Sequence, residues 1–103
     1  MKKLIRTSHN PWKIRYSVHW ISPDGKDCTI GGSNSVSEAN RIAKAQATEI
    51  FKNPWETNER KISFLDTMYI LDAETESDDN MTFETENYIV NLMTKIDNRV
   101  STN

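Results

Sequence analysis

The fold of this chain is decided by a stretch of strict alternation, WKIRYSVHW, at residues 12–20. Apolar residues occupy every second position, and basic or polar residues fill the positions between them. A period of two predicts a β-strand with one buried face and one solvated face. The predicted buried side chains are Trp12, Ile14, Tyr16, Val18 and Trp20. The predicted solvated side chains are Lys13, Arg15, Ser17 and His19.

A second strand is expected directly after the first, because residues 22–25 read Ser-Pro-Asp-Gly. Proline presets φ at the second position of a turn, and Gly25 tolerates a left-handed conformation at its end. Residues 26–31 then form the returning strand, with Cys28 and Ile30 pointing inward. The pattern predicts an antiparallel hairpin.

Two helices follow from capping signals and helical spacing. Ser35 and Glu38 fit a capping box, and an alanine-rich apolar stripe then runs from Ala39 to Phe51 until Asn53-Pro54 ends the helix. A last helix is predicted over residues 83–98, with Thr82 as its cap.

The segment at residues 61–72 fits either a strand or a helix. Ile62 and Phe64 are spaced as on one face of a strand, whereas Phe64, Leu65 and Met68 suit a helix. The β-branched and aromatic residues favour the strand. The resulting prediction is an α+β fold of two layers, ββαβα, with an antiparallel sheet and the helices on one of its faces.

The composition bounds the class of protein. A chain of 103 residues is expected to form a single domain over residues 1–103. One cysteine excludes an intrachain disulfide and a four-cysteine zinc site. No apolar run is long enough for a membrane span, and the basic start lacks the apolar run of a signal peptide. We therefore expect a cytoplasmic protein that does not enter a membrane.

The charge is distributed unevenly along the chain. Residues 1–61 hold 11 basic and 6 acidic residues, whereas residues 62–103 hold 2 basic and 9 acidic ones. The segment at residues 73–81 is polar and acidic and is expected to be a mobile loop. A negative segment of this kind suits a basic surface on a protein partner. The candidate partner-binding residues are Asp72, Glu74, Glu76, Asp78 and Asp79.

Residues that could support catalysis or metal binding are few. Cys28 could pair with a histidine, but its inward position on a short strand favours an inert thiol. The run Asp72-x-Glu74-x-Glu76 resembles the start of a calcium loop, yet it lacks the required glycine and the closing acid. We therefore expect no enzyme, no catalytic residue, no metal and no cofactor.

Two further surfaces are candidates for binding. Trp55 follows a proline in a polar turn and is a candidate exposed aromatic anchor. The solvated face of the hairpin is the alternative, because a basic two-stranded ribbon fits the major groove of DNA. The candidate nucleic-acid-binding residues are Lys13, Arg15, His19 and Lys26.

Part of the chain shares motifs with a known family. Trp12-x-Ile14-x-Tyr16, the Asp24-Gly25-Lys26 turn and Ser37-Glu38-Ala39 lie within residues 12–52. This region resembles the arm-site, AP2-like DNA-binding domain of tyrosine recombinases. The resemblance implies a three-stranded sheet that faces the major groove, with Lys13, Arg15 and Lys26 toward the DNA. It departs from the family at residues 31–36, which lack the usual glycine-aromatic pair and lysines, and in the acidic second half.

The leading hypothesis is a small non-enzymatic binding protein that interacts with a protein partner. Its general character is that of inhibitor or accessory modules of phages and mobile elements. The alternative is a DNA-binding domain that uses the basic face of the hairpin at residues 12–31.

Overall fold

A computed structural model describes residues 14–101 of the chain, with side chains described up to Asp97. In chain order its elements are β1 (Tyr16–Ile21), β2 (Asp27–Ser33), α1 (Val36–Lys52), α2 (Asn58–Asp66), β3 (Tyr69–Asp72) and α3 (Phe83–Ser101). The sheet has the order β2-β1-β3, and β1 runs antiparallel to both neighbours. These elements confirm the predicted α+β fold with an antiparallel sheet.

The β1–β2 hairpin forms as predicted. The Gly25 amide donates to the Ser22 carbonyl at 2.8 Å, and Gly25 has a φ of 92°. Trp20 is paired with Cys28, so the two side chains share a face of the sheet. The pairing shifts by one residue between Val18 and His19, which places a bulge in the ladder.

A glycine allows α1 to approach this hairpin closely. Gly31 lies opposite Val18, and a Cβ atom on it would come within 2.6 Å of Ile42 Cγ2 on α1. The predicted alanine stripe is fully buried at Ala39, Ala43 and Ala47. Small side chains on both elements therefore bring the helix and the sheet into direct contact.

The capping box of α1 forms only in part. The Ser35 hydroxyl accepts a hydrogen bond from the Glu38 amide at 3.3 Å, as predicted. The Glu38 carboxylate lies 3.2 Å from Arg41, whereas the Ser35 amide donates to the Ser33 hydroxyl at 3.2 Å. At the start of α3, Thr82 caps as predicted and accepts from the Thr85 amide at 3.2 Å.

The strand prediction for residues 61–72 is wrong for its first half. The chain forms the helix α2 up to Asp66, and only Tyr69–Asp72 is a strand. Lys61, Phe64 and Leu65 are all buried, at the i, i+3 and i+4 spacing that one helix face provides and a strand does not. The Lys61 ammonium also donates to the Phe51 carbonyl at 2.8 Å, which fixes α2 against the end of α1.

The core lies between the sheet and the helices, in two clusters. One joins Val18 and Ile70 of the sheet to the alanines of α1. The other joins α1, α2 and α3, where Trp20 packs on Phe64 with ring centroids 4.9 Å apart. The predicted inward face of β1 is therefore correct for Val18 and Trp20. Trp12 and Lys13 lie outside the described residues.

Candidate interaction surface

The prediction that the second face of β1 is solvated is wrong for Ser17 and His19, because both residues are buried. Only 5% of His19 is exposed. Since β1 is the central strand, His19 lies beside Thr29 of β2 and Tyr69 of β3. The rings of His19 and Tyr69 stack with centroids 4.8 Å apart and planes within 7°.

These residues form a hydrogen-bond network that sequence reasoning missed. His19 Nε2 lies 2.7 Å from the Ser17 hydroxyl, and His19 Nδ1 lies 3.0 Å from Asp27 Oδ1. The Tyr69 hydroxyl donates to the other oxygen of Asp27. The order Ser-His-Asp resembles a catalytic triad. However, Ser17 is buried, so its hydroxyl is not presented to a substrate, and the network satisfies buried polar groups of the sheet.

Arg15 forms ion pairs within the fold and is not a free cation of the hairpin. Its Nε and Nη2 atoms donate to the two Asp72 oxygens, each at 2.9 Å. Its Nη1 atom lies 3.4 Å from Glu74. These contacts join the start of β1 to the end of β3. Arg15 and Asp72 are therefore paired with each other, which corrects their assignment to two separate binding surfaces.

The pair shifts the titration of both groups. The hydrogen bonds from Arg15 lower the pKa of Asp72 to about 2, although burial opposes this. The same hydrogen bonds raise the pKa of Arg15 above its ordinary value. The pair is thus fully charged at neutral pH, and its contribution to folding depends on the ionised state of Asp72.

A pH dependence of stability follows from this pair. The pKa of Asp72 in the folded protein lies below its unfolded value of about 3.9, so its contribution is complete above about pH 5 and is lost as the pH falls toward 2. We expect Asp72→Asn to be less stable than the natural protein at pH 7, and the difference to shrink below pH 4. Urea unfolding at a series of pH values measures this. Glu86→Gln, at an exposed carboxylate with no ion pair among the described residues, is the control. Parallel pH curves for Asp72→Asn and the natural protein would contradict the prediction.

The acidic segment, residues 72–86, is attached to the rest of the fold by hydrogen bonds. The Asp72 amide donates to the Ser77 carbonyl at 2.9 Å, and the Asn80 side chain donates to the Ile70 carbonyl at 2.9 Å. Asn40 of α1 donates to the Asn80 carbonyl and accepts from the Thr82 amide. These contacts place the segment beside β3 and against α1. That residues 73–81 form a mobile loop stays a prediction.

The charges of the acidic segment differ in their surroundings. Asp72 is buried and Asp78 is partly buried, whereas Glu74, Glu76 and Asp79 are exposed. Further along, Glu84 lies 3.8 Å from Lys44 and Glu86 is exposed. Within residues 14–97, no ion pair involves Glu76, Asp79 or Glu86. These three carboxylates are therefore available to a partner.

The remaining predicted binding residues lie elsewhere. Trp55 is 92% exposed, as predicted for an aromatic anchor, and its amide donates to the Asn53 side chain at 2.8 Å. Lys26 is exposed beside the hairpin turn. Of the four candidate nucleic-acid-binding residues, His19 is buried, Arg15 is paired and Lys13 is outside the described residues. The predicted basic face is therefore not assembled in the described part of the hairpin.

Neither a metal-binding cluster nor a membrane-spanning helix is present in the described part of the chain. Among residues 14–101, no group of three or more His, Cys, Asp or Glu side chains is placed to hold a metal ion. In the same part of the chain, no helix combines the length and apolar character needed to cross a bilayer.

Comparisons of the chain with protein-family models, curated proteins and solved structures found no match in any of the three. The class of protein defined by the fold is a small α+β domain. The resemblance of residues 12–52 to the recombinase arm-site domain stays a prediction.

Proposed function

We propose that this protein is a non-enzymatic protein-interaction module that binds a basic partner surface through its acidic segment. One observation carries the proposal. Residues 62–94 contain eight acidic residues and no Lys, Arg or His, and Glu76, Asp79 and Glu86 stay exposed without an ion pair among the described residues.

The charge arrangement supports a role in association. An exposed surface of one sign attracts a partner of the opposite sign over a distance of roughly 8 Å at physiological salt. Such attraction raises the association rate and aligns the partner, whereas tight binding needs apolar contacts as well. Trp55 is an exposed aromatic side chain that could supply a second, separate contact.

Two of the four residues proposed to bind DNA make contacts within the fold instead. Arg15 is paired with Asp72 and Glu74, and His19 is enclosed in the sheet. A ribbon that enters the major groove needs free basic side chains on its exposed face. A protein partner is therefore favoured over nucleic acid.

The charge of the acidic segment is tested with a double variant, Glu76→Gln with Asp79→Asn. The probe is a fluorescein-labelled, 14-residue peptide of Lys and Leu. We expect the association rate at low salt to fall by about threefold, because two steering charges are removed, and the dependence on salt to become shallower. Stopped-flow anisotropy at several salt concentrations measures both.

A matched control has the same change of net charge elsewhere on the molecule. Glu49→Gln with Glu59→Gln neutralises two exposed carboxylates on α1 and α2. Equal effects of the two double variants would mean that only net charge matters, which would contradict the assigned surface. A fluorescein-labelled DNA duplex is measured alongside, and a complex that Lys26→Ala weakens would favour the DNA-binding alternative instead.

A further inference from the structure

A groove lined mainly by apolar side chains opens between the C-terminal end of α2 and α3, with Met68 and Met81 of the intervening chain also lining it. It has a volume of about 240 Å³. Three of the four methionines of the chain line it, namely Met68, Met81 and Met93. Val90 of α3 also lines it and is 49% exposed, so the groove has an apolar edge in contact with solvent.

Two carboxylates contribute to the same groove. Asp66 at the end of α2 and Glu86 in the first turns of α3 line it, and both are exposed. Every described lining residue falls between positions 62 and 94, the part of the sequence that has no basic residue. The groove therefore combines apolar side chains with two exposed carboxylates, Asp66 and Glu86, that form no ion pair among the described residues.

The size and charge of the groove restrict what can occupy it. Pockets for drug-sized molecules usually measure roughly 300–1,000 Å³, so this groove suits side chains better than a whole cofactor. A purely apolar ligand would leave Asp66 and Glu86 without partners. A symmetric contact with a second copy of the chain would bring identical carboxylates together.

We propose that this groove receives apolar side chains from a basic amphipathic helix of the partner, while Lys or Arg side chains of that helix pair with Asp66 and Glu86. The inference rests on the proposed function and adds the form of the partner. Helices of this type lay their apolar face into a hydrophobic groove. Methionine suits such a site because its flexible, polarisable side chain adapts to different apolar shapes.

Two peptides of equal charge separate the groove from the surrounding charge. The first is the 14-residue peptide of Leu and Lys, with leucines at helical spacing. The second has every leucine replaced by serine. We expect the first peptide to shift the ¹³C-methyl NMR signals of Met68, Met81 and Met93, and the second to bind more weakly without those shifts.

The outcomes distinguish the inference from the proposed function. If the two peptides bind equally and the methionine signals do not move, the inference that the groove receives apolar side chains would be overturned. The acidic segment would then remain the proposed binding surface. If neither peptide binds at low salt, both the proposed function and the inference about the groove are contradicted.

A pair of substitutions on α3 provides the matched test. Val90→Lys and Phe83→Lys each place one positive charge at an exposed apolar position, but Phe83 does not line the groove. We expect Val90→Lys to raise the Kd for the Leu-Lys peptide by about tenfold and Phe83→Lys by less than about threefold, because only the first repels the peptide inside the groove. Circular dichroism checks that both variants are folded.

Should Val90→Lys fail to fold, Asp66→Asn with Glu86→Gln tests the same site without an apolar change. We expect this double variant to weaken the Leu-Lys peptide more than Glu49→Gln with Glu59→Gln does. Equal losses for these two double variants, or for the two lysine variants, would overturn the inference.

Discussion

Ile70→Ala is expected to lower the free energy of unfolding by about 3 kcal/mol, within the usual range for truncating a buried isoleucine. Ile70 is fully buried in the middle of β3 and lies opposite Val18 of β1. Its side chain packs in the cluster that holds Ala39 and Ala43 of α1. Those alanines are short side chains on a rigid helix and cannot extend into the cavity that the substitution leaves, so much of the cavity cost remains.

The effect is large relative to the whole stability of a domain of this size, which is typically about 5–15 kcal/mol. Urea unfolding followed by tryptophan fluorescence measures it, because Trp20 packs in the core beside Phe64. Val90→Ala, at a half-exposed position of α3, is the control and is expected to change the stability by less than about 1 kcal/mol. Similar losses for the two variants would show that the contact between β3 and α1 is not a main source of stability.

The features that could be predicted from the sequence are those specified by neighbouring residues. The hairpin turn depends on Ser22, Pro23 and Gly25, which act within four positions of one another. The helix α1 depends on its cap at Ser35 and on the regular spacing of its alanines. In both cases the deciding residues are close together in the sequence, so their identity and spacing were sufficient to predict the element.

The features that could not be predicted depend on contacts between distant parts of the chain. The spacing of the apolar residues in α2 fits either a strand or a helix. The helix is anchored by contacts with other parts of the chain, such as that of Lys61 with the Phe51 carbonyl. The alternation in β1 predicts one solvated face only if that face stays open. His19 is instead enclosed by a partner on each neighbouring strand, Asp27 and Tyr69.

The candidate site was predictable in its composition but not in its geometry. The run of acidic residues is visible in the sequence, and the exposure of Glu74, Glu76 and Asp79 agrees with it. The ion pair of Arg15 with Asp72 joins residues that are 57 positions apart, so no local sequence pattern could predict it. The groove likewise gathers three methionines that are widely separated along the chain, and helical or strand spacing could not have placed them together.

The buried network around His19 is the source of the second large effect. Asp27→Ala is expected to lower the free energy of unfolding by about 3 kcal/mol, because the two partners of Asp27 are buried and both lose an acceptor. Those partners are His19 Nδ1, at 3.0 Å, and the Tyr69 hydroxyl. Urea unfolding measures the loss. Asp79→Ala removes an exposed carboxylate and is expected to change the stability by about 0.5 kcal/mol or less.

A double-mutant cycle shows whether the network acts as a unit. Tyr69→Phe removes only the hydroxyl that donates to Asp27, and it is expected to lower the stability by about 1 kcal/mol. In the Asp27→Ala background its acceptor is already gone, so the same substitution should have a much smaller effect. Additive losses would mean that the two residues do not depend on each other. The side chains of the network would then contribute separately to stability, beside the backbone ladders that join β1 to β2 and β3.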